Sequence, residues 1–176
     1  MGFFGWLLDL FVPIENDEDD ELEYEEENEV SYSIRETLIT QSEKDFYVGI
    51  SRAVDLTKYV ILPQINLATI IKKEVKGKDK FRQNELYRNI DFVVFERENL
   101  RPCLCIEIND SSHNAPKRKY RDMRVKDICE QAKLPLIRFW TSYGVNQPYI
   151  NKTITSALSE FEKETNKQKS KTRKKG

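Results

Sequence analysis

Residues 89–108 read NIDFVVFERENLRPCLCIEI. Two apolar runs, Ile90–Phe95 and Cys103–Ile108, flank the polar stretch Glu96–Pro102, and each carries a single acidic residue, Asp91 and Glu107. Such runs, rich in β-branched and aromatic residues and separated by polar punctuation, predict two strands joined as a hairpin. An ionised carboxylate inside an apolar strand is costly unless it is paired or binds a cation. With the hairpin centred on Asn99, residues equidistant from that centre face each other, which sets Asp91 opposite Glu107 on one face. Directly opposed Cβ atoms lie about 4.5–5.5 Å apart, and like charges there repel. A divalent cation relieves the repulsion. Carboxylate oxygens supplemented by water suit Mg²⁺, and Mn²⁺ as well. Asn109, two residues past Glu107, faces the same way and offers a carbonyl or an amide. The bland alternative pairs Asp91 with Arg88 or Arg138 and Glu107 with a lysine of the next helix. A register slip of one residue would separate the two carboxylates onto opposite faces.

Outward from the hairpin, the chain alternates helix and strand patterns. Thr40 followed three residues later by Glu43 has capping-box spacing. Phe46, Tyr47, Ile50, Ala53 and Val54 then form an apolar stripe, predicting a helix over 41–54. Tyr59–Ile65, broken by Pro63, predicts a strand ending near Gln64. Lys72–Arg82, lysine-rich with Gly77, reads as an exposed loop. After the hairpin, Pro116 opens a helix to about Ala132, with Tyr120, Met123, Ile128, Cys129 and Ala132 at helical spacing. Pro135–Trp140 predicts a buried strand, and Ile150 to about Glu162 a final amphipathic helix. The order is α-β-β-β-α-β-α, an α/β (α+β) domain with a mixed sheet flanked by helices.

The 176 residues suit one such domain plus tails. Ten of the thirteen residues from Asp17 to Glu29 are acidic, and no lysine or arginine precedes Arg35. From residue 30 onward there are 29 basic and 18 acidic residues, so the near-neutral whole conceals a basic body that suits a polyanionic partner. The predicted organisation is an apolar segment at 1–14, an acidic disordered linker at 15–35, the domain at 36–163 and a basic disordered tail at 164–176. The bland reading makes both charge runs solvated, disordered ends. Residues 2–14 are apolar but shorter than the roughly 20 residues of a membrane span. They could lie in an interface, dock a protein partner or pack on the chain itself. Cys103, Cys105 and Cys129 without a secretory signal point to core thiols in a reducing, cytoplasmic setting. With one histidine, the chain offers no repeated zinc-ligand pair.

The segment Asn109–His113 crosses from the second hairpin strand to the next helix. His113 could move protons or contact a phosphate; its structural role is helix capping together with Asn114. Lys117, Arg118, Lys119, Arg121, Arg124 and Lys126 then crowd the start of that helix, a candidate phosphate-binding surface. Alone, such a run also reads as a solvated helix face.

These pieces together, NIDFVVF at 89–95, CIEINDSSHNAPKRKYRDMRVKDI at 105–128 and LPLIRF at 134–139, with QSEKDFY at 41–47 and ILPQINL at 61–67, resemble a bacterial domain of unknown function. That domain belongs to the PD-(D/E)XK superfamily and is akin to very-short-patch repair endonucleases. The likeness runs from about 40 to 140. It implies a restriction-endonuclease-like core and a Mg²⁺-dependent endonuclease acting on DNA. Asp91 and Glu107 would be the metal-binding acidic pair, Glu43 an auxiliary acid besides its capping role, and Gln64 the glutamine at the end of the first strand. Asn109 stands where the superfamily has a lysine, a role that Lys126 or His113 would then fill. The alternative the resemblance leaves open is a degenerate module of the same fold that grips nucleic acid, or docks a partner, without cutting.

Overall fold

The computed structural model describes residues 31–74, 86–110 and 116–173, apart from the side chains of 116–119, 121, 168, 169 and 171–173. The segments at 1–14 and 15–30 and most of the lysine-rich loop therefore lie outside the described residues. The chain divides into units Met1–Ile34 and Arg35–Gly176, and the second carries every helix and strand among those residues.

Helix α1 (Gln41–Ala53) starts as its sequence predicts. The Thr40 hydroxyl accepts from the Glu43 N–H at 3.3 Å while Glu43 Oε2 accepts from the Thr40 N–H at 2.6 Å. This reciprocal cap satisfies two donors that no helical carbonyl can reach. Strand β1 (Tyr59–Asn66) leads into the short α2 (Leu67–Ile70). Strands β2 (Asn89–Glu96) and β3 (Pro102–Asn109) form the hairpin, and α3 (Pro116–Ala132) crosses over to β4 (Leu136–Trp140). The single turn Thr141–Tyr143 leads to α4 (Gln147–Arg173). The sheet order is β1-β2-β3-β4, antiparallel except for β3 beside β4. It is a mixed α+β domain.

The hairpin register is the expected one: Phe92 faces Ile106, Val93 faces Cys105 and Val94 faces Leu104, with a bulge at Val94/Phe95 that brings Phe95 to Pro102. Alternation then sorts the side chains between two layers. Phe92, Val94, Leu104, Ile106 and Phe139 pack under α1 and α4, against Phe46, Ile50, Ile150 and Ile154. Val93, Phe95 and Cys105 pack under α3, against Val125 and Cys129. Gly49 sits where α1 meets α4, and a Cβ there would lie 3.0 Å from the Val145 side chain and 3.1 Å from that of Ile150, so these side chains would have to give way. All three cysteines are buried and free.

Three expectations are corrected. On α3, Tyr120 and Met123 are exposed, because Val125 and Cys129, one turn apart, fix which face is inward. Helix α4 begins at Gln147 rather than Ile150: the Asn146 side chain accepts from the Tyr149 N–H at 3.1 Å, and Pro148 sits in the first turn, where its missing N–H is harmless. The same helix continues to Arg173, through the stretch expected to be a disordered tail. Its apolar stripe runs on from Leu158 to Phe161 and Thr165, and Arg101 of the hairpin lies over the Phe161 ring at 5.0 Å and donates to the Thr165 hydroxyl at 3.2 Å.

Candidate functional site

The strand directions bring the end of β1, the start of β2 and the ends of β3 and β4 to one end of the sheet. The ladder between β2 and β3 stops at Phe92–Ile106, and one step further lie Asp91 and Glu107. There the Asp91 side chain enters the gap: its Oδ2 accepts the Ile108 backbone N–H at 2.7 Å, the short distance typical of a charge-assisted bond.

Three acidic groups converge at this point. Burial, opposed by the Ile108 N–H and reinforced by the neighbouring Glu43 and Glu107 carboxylates, pushes the Asp91 carboxyl up to about 6. Glu43 arrives from the N-terminus of α1, where its Oε1 accepts from Gln64 Nε2 at 3.3 Å. Gln64 has φ 54, a left-handed conformation, and it drops out of the β1–β2 ladder between Pro63–Phe92 and Ile65–Ile90. For a residue with a Cβ, that conformation costs on the order of 1–2 kcal/mol. Pro63 beside it is tolerated because β1 is an edge strand. A strained backbone that aims an amide at a carboxylate cluster is the kind of feature functional sites retain.

Glu107 is buried and differently served. Arg138, its partner on β4, donates from Nε to Oε2 at 3.2 Å, and Arg88 Nη2 lies 3.8 Å from Oε1. The two guanidiniums are tied to α3 as well, Arg88 to the Asp122 carboxylate at 3.1 Å and Arg138 to the Asp122 carbonyl at 2.7 Å. The bland alternative had assigned these arginines to Asp91 and a lysine to Glu107. Both arginines serve Glu107, because Arg138 faces it in register and the β2–β3 gap directs Asp91 toward Ile108 and Glu43. Arg88 Nη1 is buried without a hydrogen-bond partner.

Of the other residues singled out, Asn109 is half-buried at the end of β3, opposite Trp140. Lys126 is exposed and paired with Glu130 at 3.5 Å, in a cleft of about 790 Å³ along β4 that it shares with Arg138. Arg124 is exposed on the same helix. His113 and the side chains of Lys117, Arg118, Lys119 and Arg121 lie outside the described residues. Sequence reasoning overlooked Asp122 as the tie to α3. Its bland alternative offered Arg138 to Asp91 and not to Glu107, although a cation inside the apolar run LPLIRF signals a buried partner as plainly as Asp91 does.

Among the described residues, no group of three or more His, Cys, Asp or Glu side chains is arranged to hold a metal ion, and no helix is long and apolar enough to cross a membrane. The donor set is nevertheless all oxygen, and Mg²⁺ takes only one or two protein carboxylates alongside waters and substrate phosphate. Asp91 and Glu43 supply carboxylate oxygens of that kind, Asp91 held by the Ile108 N–H and Glu43 by Thr40 and Gln64. The fold and site thus define a small α+β domain with a carboxylate cluster at one end of its sheet, buried at Glu107 and half-buried at Asp91 and Glu43. The chain belongs to the DUF2726 family, proteins of unknown function, over residues 35–158. No curated protein and no solved structure matches it.

Proposed function

We propose that the domain is a metal-dependent nuclease that hydrolyses phosphodiester bonds, in DNA in the first instance, with Asp91 at its cation site. The observation that carries this reading is the Asp91 carboxyl, pushed up to about 6 by burial and by the neighbouring Glu43 and Glu107 carboxylates. Perturbed acids of this kind cluster where chemistry is done. Three antiparallel strands, a crossover helix and a parallel fourth strand support the finer assignment to a restriction-endonuclease-like core.

When bound, Mg²⁺ or Mn²⁺ would polarise the scissile phosphate and lower the pKa of the attacking water. At neutral pH Asp91 is above its titration point and presents a carboxylate oxygen, which the Ile108 N–H holds in orientation. Glu43 offers a second oxygen, positioned by its own helix cap and by Gln64. Arg138 and Arg88 fix Glu107 between them. The basic start of α3, with Arg124 and Lys126, would take the phosphate backbone without reading bases. His113 or Lys126 would supply the charge that Asn109 lacks.

Purified full-length chain assayed on plasmid and single-stranded DNA with Mg²⁺ or Mn²⁺ should cleave, and Asp91→Ala should abolish cleavage while retaining DNA binding. Cleavage unchanged in Asp91→Ala would remove the assignment. A second reading, a non-cutting nucleic-acid module of the same fold, draws on the commitment of both Glu107 oxygens to arginines. Salt-sensitive DNA binding with no metal-dependent cleavage would select it.

A further inference from the structure

Beyond Arg138, β4 runs into an aromatic feature that the carboxylate cluster does not use. Trp140, Tyr143 and Tyr149 are 41, 81 and 56% exposed, an unusual concentration of large rings in water for ten residues of chain. They line a cavity of about 300 Å³ together with Phe139, Arg138 and Gly144. That is the lower end of the range, about 300–1,000 Å³, in which small ligands are held.

The floor of this cavity is ordered. Phe139 stacks on Phe46 of α1 at 5.9 Å between centroids and meets Tyr149 edge-on at 6.0 Å. Its rim stands clear: Gly144 has φ 61, and a Cβ placed there would meet nothing within 4 Å. The cavity also adjoins the carboxylates. Arg138 lines it while bonding Glu107 at 3.2 Å, and Trp140 lies opposite Asn109, two residues beyond Glu107.

Flat aromatic walls suit a planar, uncharged heterocycle, and Phe139 in the wall pairs with Ile108, whose N–H donates to Asp91, so the linked backbone would run toward the carboxylates. We propose that this cavity takes an unpaired nucleobase of the strand whose backbone reaches Asp91, stacked against Trp140, Tyr143 or Tyr149. The proposal rests on the nuclease reading and narrows it to single-stranded or locally unpaired DNA. A base inside an intact duplex presents no face to stack on, whereas any unpaired base does, so the preference would be for strandedness and not for sequence.

The chain has two tryptophans, Trp6 and Trp140, so Trp6→Phe in the full chain leaves Trp140 as the only indole reporter. The test titrates this protein in EDTA with single-stranded oligothymidylate and with an abasic oligomer of equal length and phosphate charge. Stacking predicts quenching of Trp140 by oligothymidylate and affinity on the order of tenfold above the abasic oligomer. Tyr143→Ala, at the most exposed of the three rings, should narrow that gap while the protein stays folded. Equal affinity for the two oligomers, or an indole signal that neither changes, would overturn the proposal. Mg²⁺-dependent cleavage measured in parallel separates it from the reading beneath. Cleavage without base-dependent binding keeps the nuclease and discards the base pocket; base-dependent quenching without cleavage keeps the pocket and discards the nuclease.

Discussion

The β3–β4 half of the site and the β1–β2 half hold opposed carboxylates in opposite electrostatic states. On the β4 side, Glu107 is buried between Arg138 and Arg88, which are themselves anchored to Asp122. On the β1 side, Asp91 has a backbone N–H and a second acid, Glu43, kept in place by a glutamine with a strained backbone. One half is a network of ion pairs and hydrogen bonds that ties the sheet to α3. The other sets Asp91 beside a second acid, the kind of perturbed carboxyl that clusters at functional sites. On the proposed reading, Glu107 is scaffold and Asp91 faces the ligand.

The largest effect expected of breaking this contrast is on the arginine side. Arg138→Met keeps an apolar stem but leaves Glu107 with only the longer Arg88 contact, and should destabilise the fold by about 3 kcal/mol, since a buried charge loses its partner. The same substitution in a Glu107→Gln background should cost much less, and urea denaturation of the four proteins measures the coupling. Additive effects would show that the pair does not hold this half together.

Asp91→Asn should act in the opposite direction. The Asp91 carboxyl titrates near 6, above the ordinary 3.8, so the fold favours its protonated form. Its contribution to stability is complete below pH 4 and is lost as pH rises through 6. Asparagine removes that loss and can still accept from Ile108, so the variant should be more stable by about 2 kcal/mol at pH 7.5, with the gain gone at pH 4. A gain independent of pH would contradict the charge explanation.

Two smaller changes sharpen the acidic side. Glu43→Gln retains the helix cap, since glutamine also serves in a capping box, but removes one charge beside Asp91. The Asp91 titration midpoint, followed by carboxyl NMR, should fall from about 6 toward the ordinary value. Gln64→Gly should relieve the left-handed strain, about 1–2 kcal/mol, against the entropic cost of glycine, about 0.5–1 kcal/mol, for a net gain near 0.5 kcal/mol in denaturant. A loss instead would mean that the Gln64–Glu43 bond outweighs the strain.

Much of this arrangement was legible in the sequence because local rules and global fold agree there. The Asn99-centred hairpin, the Thr40/Glu43 cap and the Pro116–Ala132 helix rest on alternation, capping and proline placement, each visible within a few residues. The misreadings share another cause, namely contacts distant in sequence. Tyr120 and Met123 have helical spacing among apolar residues, and only docking on the sheet shows Val125 and Cys129 inward instead. The end of α4 depends on Arg101, 64 residues earlier, reaching Thr165. The partners of Glu107 depend on the parallel pairing of β3 with β4, and the strain at Gln64 on the shape of an edge strand; neither leaves a periodic signal.

Direct metal binding tests the central claim. Mn²⁺ titrated into the full-length chain at pH 7.5, with free Mn²⁺ counted by electron paramagnetic resonance in the presence of uncleavable oligothymidylate, should show one site. That site should be lost in Asp91→Asn and kept in Tyr143→Ala. Wild-type protein that binds no Mn²⁺, or an Asp91→Asn variant that binds it equally well, would contradict the account.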